Sequence, residues 1–244
     1  MPRRGMVMSL FLVAIAIAVL WQFGASLILP QPRASFEPLS LHPLPAAEPI
    51  SPIPEFLPLD QRKVALGSRL FHDRRFSRDN SMACASCHEL SKGGGDALKQ
   101  SVGIGGQSSD VNALTVFNSG FNFRQFWNGR AESLEDQIDG PVHNPKELGS
   151  NWPEIIAKLE TDREYAAEFS ALYRDGIQPG NIKDAIATFE RSLITPNSRF
   201  DKHLRGDRNA LTQDEIKGYQ LFKSYGCIAC HQGVNVGGNL FGRL

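Results

Sequence analysis

The most specific chemistry in the chain is carried by Cys84-Ala85-Ser86-Cys87-His88. The pattern recurs as Cys227-Ile228-Ala229-Cys230-His231, and the two copies use all 4 cysteines. C-x-x-C-H is the attachment signature of c-type haem: two thiols form thioethers with the vinyl groups, and the adjacent histidine offers a ring nitrogen to the iron. Other uses of paired cysteines fit less well. Two disulfides would leave the histidine after each pair unexplained. A zinc site would need a second C-x-x-C or H-x-x-x-H at finger spacing, and neither lies close by. A thioredoxin-like pair expects a strand leading into a helix, and alternating strand patterns are missing. Each copy follows a Leu-Phe pair (Leu70-Phe71, Leu221-Phe222) and precedes paired glycines (Gly93-Gly94, Gly237-Gly238), so the chain reads as an internal duplication.

Helices are the elements that must position these motifs. Gln61 to Phe71 has Val64, Leu66, Leu70 and Phe71 at helical spacing and ends before the turn-rich Ser77–Ser81. Helix starts are capped at Asn151, Thr161 and Thr212, and the last of these helices runs to about Tyr225 and stops at Gly226. Asn181 to Leu193 is amphipathic through Ile182, Ala185, Ile186, Phe189 and Leu193. Between Lys92 and Asn151 the glycines and short apolar runs read as long ordered loops, which in a compact domain are usually functional. The fold class is therefore all-α, with two cytochrome c-like haem domains.

The N-terminus opens with Arg3-Arg4 and an uncharged apolar stretch from Met6 to Leu29. As a helix this stretch would extend about 36 Å, enough for a hydrocarbon core of ~30 Å. No A-x-A cleavage site follows it, so residues 1–29 read as a signal or, preferably, an uncleaved membrane anchor, with the arginines cytoplasmic and the remainder outside. Residues 30–58 hold nine of the 15 prolines and read as an extended spacer that tethers a soluble domain. Residues 59–203 then form a first haem domain, and residues 204–244 begin a second.

Lys+Arg and Asp+Glu both count 26 in 244 residues, which excludes a nucleic-acid binder working through basic excess. Hydrophobic residues at 41% and charged residues at 21% exclude a disordered polyelectrolyte and a multi-span membrane protein.

From about Leu59 onward the sequence resembles the bacterial dihaem cytochrome c peroxidase family, related to the MauG-type enzymes. The resemblance rests on Leu70-Phe71-x-Asp73 with Ser77-x-Asp79, on Asn112-Ala113-Leu114-Thr115-Val116-Phe117-Asn118 and on Gln125-Phe126-Trp127-Asn128-Gly129-Arg130-Ala131. Gln137, Gly140-Pro141-Val142 and Glu147 complete it. It implies two covalent haems c, a peroxidatic one at Cys84, Cys87 and His88 and an electron-entry one at Cys227, Cys230 and His231. Peroxide is then reduced to water with electrons from a small cytochrome c or cupredoxin, in the periplasm at the bacterial inner membrane, with a homodimer as the expected assembly. Carried over by position, Glu147 becomes the acid/base over the peroxidatic iron, Gln137 its distal partner and Trp127 the indole between the haems. Asn112 becomes a calcium ligand, and His88 and His231 become the proximal iron ligands. Phe117, Phe121, Phe123 and Phe126 are expected as ordinary core. An electron-transfer cytochrome without peroxidase activity, and a MauG-like oxidase of a protein side chain, are the competing readings.

The pattern departs from the family at two points. Many members carry a sixth-ligand histidine in the glycine-rich loop after the first motif, where this chain has Ile104. Unless Gln107, His72 or His143 reaches in, the first iron is expected to be open. The family's second-haem methionine has no counterpart, since no methionine follows His231. The short stretch from Gln232 to Leu244 reads as an incomplete second domain, so the chain is expected to be a fragment or truncated product.

Overall fold

The computed structural model describes residues 48–237. The expected anchor at 1–29 and the spacer up to residue 47 lie outside them. Among the described residues, eight α-helices and several 3-10 turns form the fold, β-pairing is limited to isolated bridges, and no helix is long and apolar enough to cross a membrane.

Helix α1 (Gln61–Phe71) starts where the Asp60 carboxylate accepts the Arg62 N–H, and it buries Leu66, Leu70 and Phe71. Its main partner is α6 (Pro179–Ser192), whose Ile182, Ala185, Ile186 and Phe189 face it. Each large side chain buried there contributes about 1.5–3 kcal/mol. Helices α4 (Trp152–Glu160) and α5 (Arg163–Leu172) close the far side with Ile155, Leu159, Tyr165 and Phe169. Asn151 caps α4 as expected, but Asp162 rather than Thr161 caps α5: Thr161 ends α4, and the longer-reaching Asp162 carboxylate accepts the Glu164 and Tyr165 N–H groups. Helix α7 (Arg199–Leu204) leads to α8 (Gln213–Ser224), opened by the Thr212–Glu215 capping box.

Three sequence expectations are corrected here. The stretch 92–151 is not all loop, because α3 (Leu134–His143) lies within it, capped by Ser133. Its Gly140-Pro141 hides the helix from pattern reading, since proline in a helix interior removes an N–H and ordinarily breaks the ladder. The four phenylalanines at 117, 121, 123 and 126 are not buried core. Phe123 is 55% exposed, Phe117 and Phe126 are half-buried in loops, and Phe121 is half-buried at the end of a 3-10 turn, Ser119–Phe121. Finally, residues 48–54 of the expected spacer form a strap against the second motif's surroundings. Ile50 is buried and bridges Gly233, and the Gly233 N–H donates to the Pro49 carbonyl at 2.8 Å. Tyr219 Oη donates to Glu48 at 2.6 Å, and the Ile53 N–H donates to Asp201. Proline-rich chain suits this role, because an extended backbone keeps its remaining N–H groups free for partners outside the segment.

Candidate functional site

The first motif is a short helix, α2 (Cys84–Cys87), followed directly by His88. The His88 ring lies 6.5 Å from that of Phe71 at the end of α1, and its Nδ1 is 3.2 Å from the Gly94 carbonyl oxygen. A carbonyl only accepts, so Nδ1 carries the proton and Nε2 keeps its lone pair for a metal. Burial holds the His88 pKa below its ordinary value, which keeps the imidazole in its neutral, ligating form. Burial also pushes Cys84 up to about 12 and Cys87 to about 11. Both are neutral thiols at neutral pH.

The motif opens onto an apolar cavity lined by Met82, Ile138, Val142 and Leu148 as well as Cys84, Cys87 and His88. Gln137, Pro141, Glu147 and Glu190 line both this cavity and an adjoining, larger and more open cleft. The apolar lining, the free thiols and the tautomer-fixed histidine together fit a covalently held haem.

Glu147 is positioned by the way α3 ends. Pro141 and Val142 leave carbonyls without helical partners, and these are taken by the N–H groups of Leu148 at 3.1 Å and Ser150 at 2.8 Å. The segment 144–150 is thereby folded back over the helix. Asn144 organises it: its Nδ2 donates to Glu147 Oε1 at 2.8 Å, and its backbone carbonyl accepts from Glu147 and Gly149. Gly103 presses against the same turn, where a Cβ would lie 1.9 Å from the Lys146 carbonyl oxygen, so only glycine allows the approach. Burial raises the Glu147 pKa above the ordinary carboxylate value, against opposing contributions from the Asn144 hydrogen bond and the Arg130 charge.

Ile104 is 2% exposed, packs beside Gly149 and does not line the cavity. His72 and His143 are exposed and bonded to the Ser68 and Asp139 carbonyls of their own helices. Gln107 reaches only the Pro145 carbonyl. Trp127, 43% exposed, stands at the mouth of the cleft with its indole N–H donated to the Asn112 carbonyl at 3.4 Å. The Asn112 side-chain amide donates to the Ala113 carbonyl at 3.4 Å.

At the second motif Cys227, Cys230 and His231 are exposed. Its internal geometry repeats the first, with Phe222 lying 6.1 Å from the His231 ring and His231 Nδ1 lying 3.1 Å from the Val236 carbonyl oxygen.

Residues 61–209 match the family described as di-haem cytochrome c peroxidase. The chain belongs to that family. It is 54% identical over 195 residues to cytochrome c peroxidase Ccp of Escherichia coli K12, covering 80% of this chain and 42% of the relative. It is 44% identical to cytochrome c551 peroxidase of Nitrosomonas europaea, covering 82% of this chain and 60% of the relative. Thus the chain spans about half the length of the curated relatives it matches. Among solved structures, a MauG-like protein associated with microbial copper homeostasis superposes with a TM-score of 0.66 at 30% identity, over 80% of this chain and 61% of its own. Family membership implies two covalently bound haems c, which the two motifs account for.

Two cavity residues escaped the sequence reading. Asn144 carried no signal beyond preceding a proline. Glu190 did carry one: it follows Ile182 and Ile186 at four-residue spacing, so a carboxyl stands on the apolar stripe of α6. Glu190 is 4% exposed, its Oε2 has no hydrogen-bond partner, and burial pushes its pKa to about 8.

Proposed function

We propose that the protein reduces hydrogen peroxide to water with electrons from a small cytochrome c or cupredoxin, in the periplasm, with residues 1–29 holding it at the inner membrane and a homodimer as its assembly. The observation that carries the reading is Glu147, a buried carboxyl with a raised pKa in the cavity that also holds Cys84, Cys87 and His88. When bound there, haem c supplies a redox-active iron. The chain supplies the rest.

Cys84 and Cys87 hold the macrocycle, and His88 offers Nε2 to the iron because Gly94 occupies Nδ1. Cleaving the O–O bond requires a group that takes a proton from one peroxide oxygen and returns it to the departing one. Glu147 would perform this transfer, with Oε1 fixed by Asn144 and Oε2 outside that bond. Gln137 orients the peroxide by its amide, and Ile138, Val142 and Leu148 keep bulk water out. Trp127, at the mouth of the cleft, is assigned as the indole that would shorten the electron path from a second haem held by Cys227, Cys230 and His231. Ile104, His72, His143 and Gln107 all lie outside the narrower cavity, so none of the four would supply a sixth ligand to an iron held there.

Steady-state turnover of peroxide with reduced cytochrome c, measured on the full-length gene product, tests the reading. Two equivalents of donor should be oxidised per peroxide, and the oxidised protein should bind cyanide at once without prior reduction. A two-haem product that consumes no peroxide overturns the enzyme reading in favour of an electron carrier.

A further inference from the structure

We infer that Asn235 joins the two proximal histidines into one hydrogen-bonded relay and so acts as a positioning residue for both haem sites, an inference that rests on the proposed loading of both motifs. The relay is short. His88 Nδ1 donates to the Gly94 carbonyl at 3.2 Å, and the same carbonyl accepts the Val116 N–H at 3.1 Å. Two residues further on, the Asn118 carbonyl accepts from Asn235 Nδ2 at 3.0 Å. The next residue of that loop, Val236, accepts the His231 Nδ1–H at 3.1 Å. A carbonyl can only accept, so the Asn235 atom facing Asn118 is the nitrogen.

Each joint is pinned. Gly94 lies at φ +77°, where a Cβ would come within 2.9 Å of Thr115 Oγ1 and Phe117, so glycine is what lets the carbonyl serve both donors. Asn118, at φ +61°, is held on both sides of its amide by Thr195, while its N–H donates to the Leu193 carbonyl. Val236 sits at φ +54°, a costly conformation for a β-branched residue, and that turn is what returns its carbonyl to His231. Asn235 Nδ2 also donates to Asn122 Oδ1 at 2.6 Å, a branch off the relay and not part of it.

The consequence follows from how a carbonyl acts on a ligating imidazole. Accepting Nδ1–H raises the ring's electron donation and favours the oxidised metal, and loosening the bond does the reverse. Because the Gly94 and Val236 carbonyls are tied through Val116–Asn118 and Asn235, a displacement at one histidine is passed to the other.

The test uses the full-length two-haem product and reads reduction potentials by spectroelectrochemical titration. Asn235→Leu removes the donor at similar size, and Asn235→Ala removes it without adding charge or bulk, which serves if the leucine variant fails to fold. In either, both haem potentials should rise, the second more than the first. Asn122→Ala removes the branch and should leave the first haem's potential in place. A shift of the second haem alone in the Asn235 variants overturns the relay, as does a first-haem shift of equal size in Asn122→Ala. The readout is a potential, so a protein that consumes no peroxide still tests the relay. A product with haem at one motif alone fails the loading reading, and the relay with it, on haem content before any potential is read.

Discussion

The two C-x-x-C-H segments have the same local geometry and opposite surroundings. In each, a phenylalanine from the preceding helix stands about 6 Å from the histidine ring, and a backbone carbonyl five or six residues downstream takes Nδ1. Around the first, α3, α6 and the 144–150 turn build a cavity with two carboxyls and an amide. Around the second, the thiols and histidine are exposed, Tyr225 is 78% exposed, and the described neighbours are α8, the 48–54 strap and the loop reached through Asn235. A ligand loop is thus specified by some twenty consecutive residues, whereas a reaction cavity has to be assembled from segments a hundred residues apart in sequence.

The largest effect should come from breaking the feature that only the first site has. Glu147→Gln keeps the size and the Asn144 contact of the side chain and deletes its proton transfer. Peroxide turnover in a full-length product should fall ~10²–10⁴-fold with the visible spectrum nearly unchanged. Gln137→Ala should cost less, since an amide orients without transferring a proton. If stopped-flow reaction with peroxide is as fast in Glu147→Gln as in the parent, the cavity does not distinguish the two motifs chemically.

Next in size is a test of the shared phenylalanine. Phe71 is fully buried between α1 and α6 and touches the rings of Phe189 and His72 besides His88. Phe71→Ala should destabilise the fold by about 3–5 kcal/mol, as large core truncations do. The matching Phe222→Ala, at a half-buried ring, should cost about 1 kcal/mol, well below a core truncation. Equal shifts of the urea midpoints would show that the second site is as well walled as the first.

What could be read from the sequence follows the same division. The haem motifs, α1, α4, α6 and α8 are local patterns of spacing and caps, and they stand where the spacing placed them. Helix α3 did not show, because Gly140-Pro141 is a breaking signal that tertiary contacts override: the 144–150 turn supplies the N–H groups for the carbonyls at its end. The phenylalanines at 117–126 were read by residue type, yet they occupy loops and a short 3-10 turn, where composition says little about burial. Asn144 and the Asn118–Asn235 bond join residues whose partners are set only by the fold.

The smallest effect concerns the carboxyl on the apolar stripe of α6. Glu190 is buried beside Arg191, whose charge lowers its pKa, and within range of Glu135, whose charge raises it; burial outweighs both and puts it at about 8. The folded-state value lies above that of the unfolded chain, so as pH rises the unfolded chain loses its proton first while the folded chain still holds it. The contribution to stability is complete below the ordinary glutamate value near 4.5, declines across the interval to about 8 and is gone above it. The slope cannot exceed about 1.4 kcal/mol per pH unit for one proton, and relaxation around the carboxyl should reduce the total change to about 1–2 kcal/mol. Glu190→Gln keeps the shape and removes the titration. Urea unfolding of parent and variant at pH 5 and pH 8 should give curves that differ little at pH 5, with the variant more stable at pH 8. The same difference at both values would mean that Glu190 does not hold its proton in the folded cavity, and the first site would then contain one neutral-prone carboxyl, Glu147, instead of two.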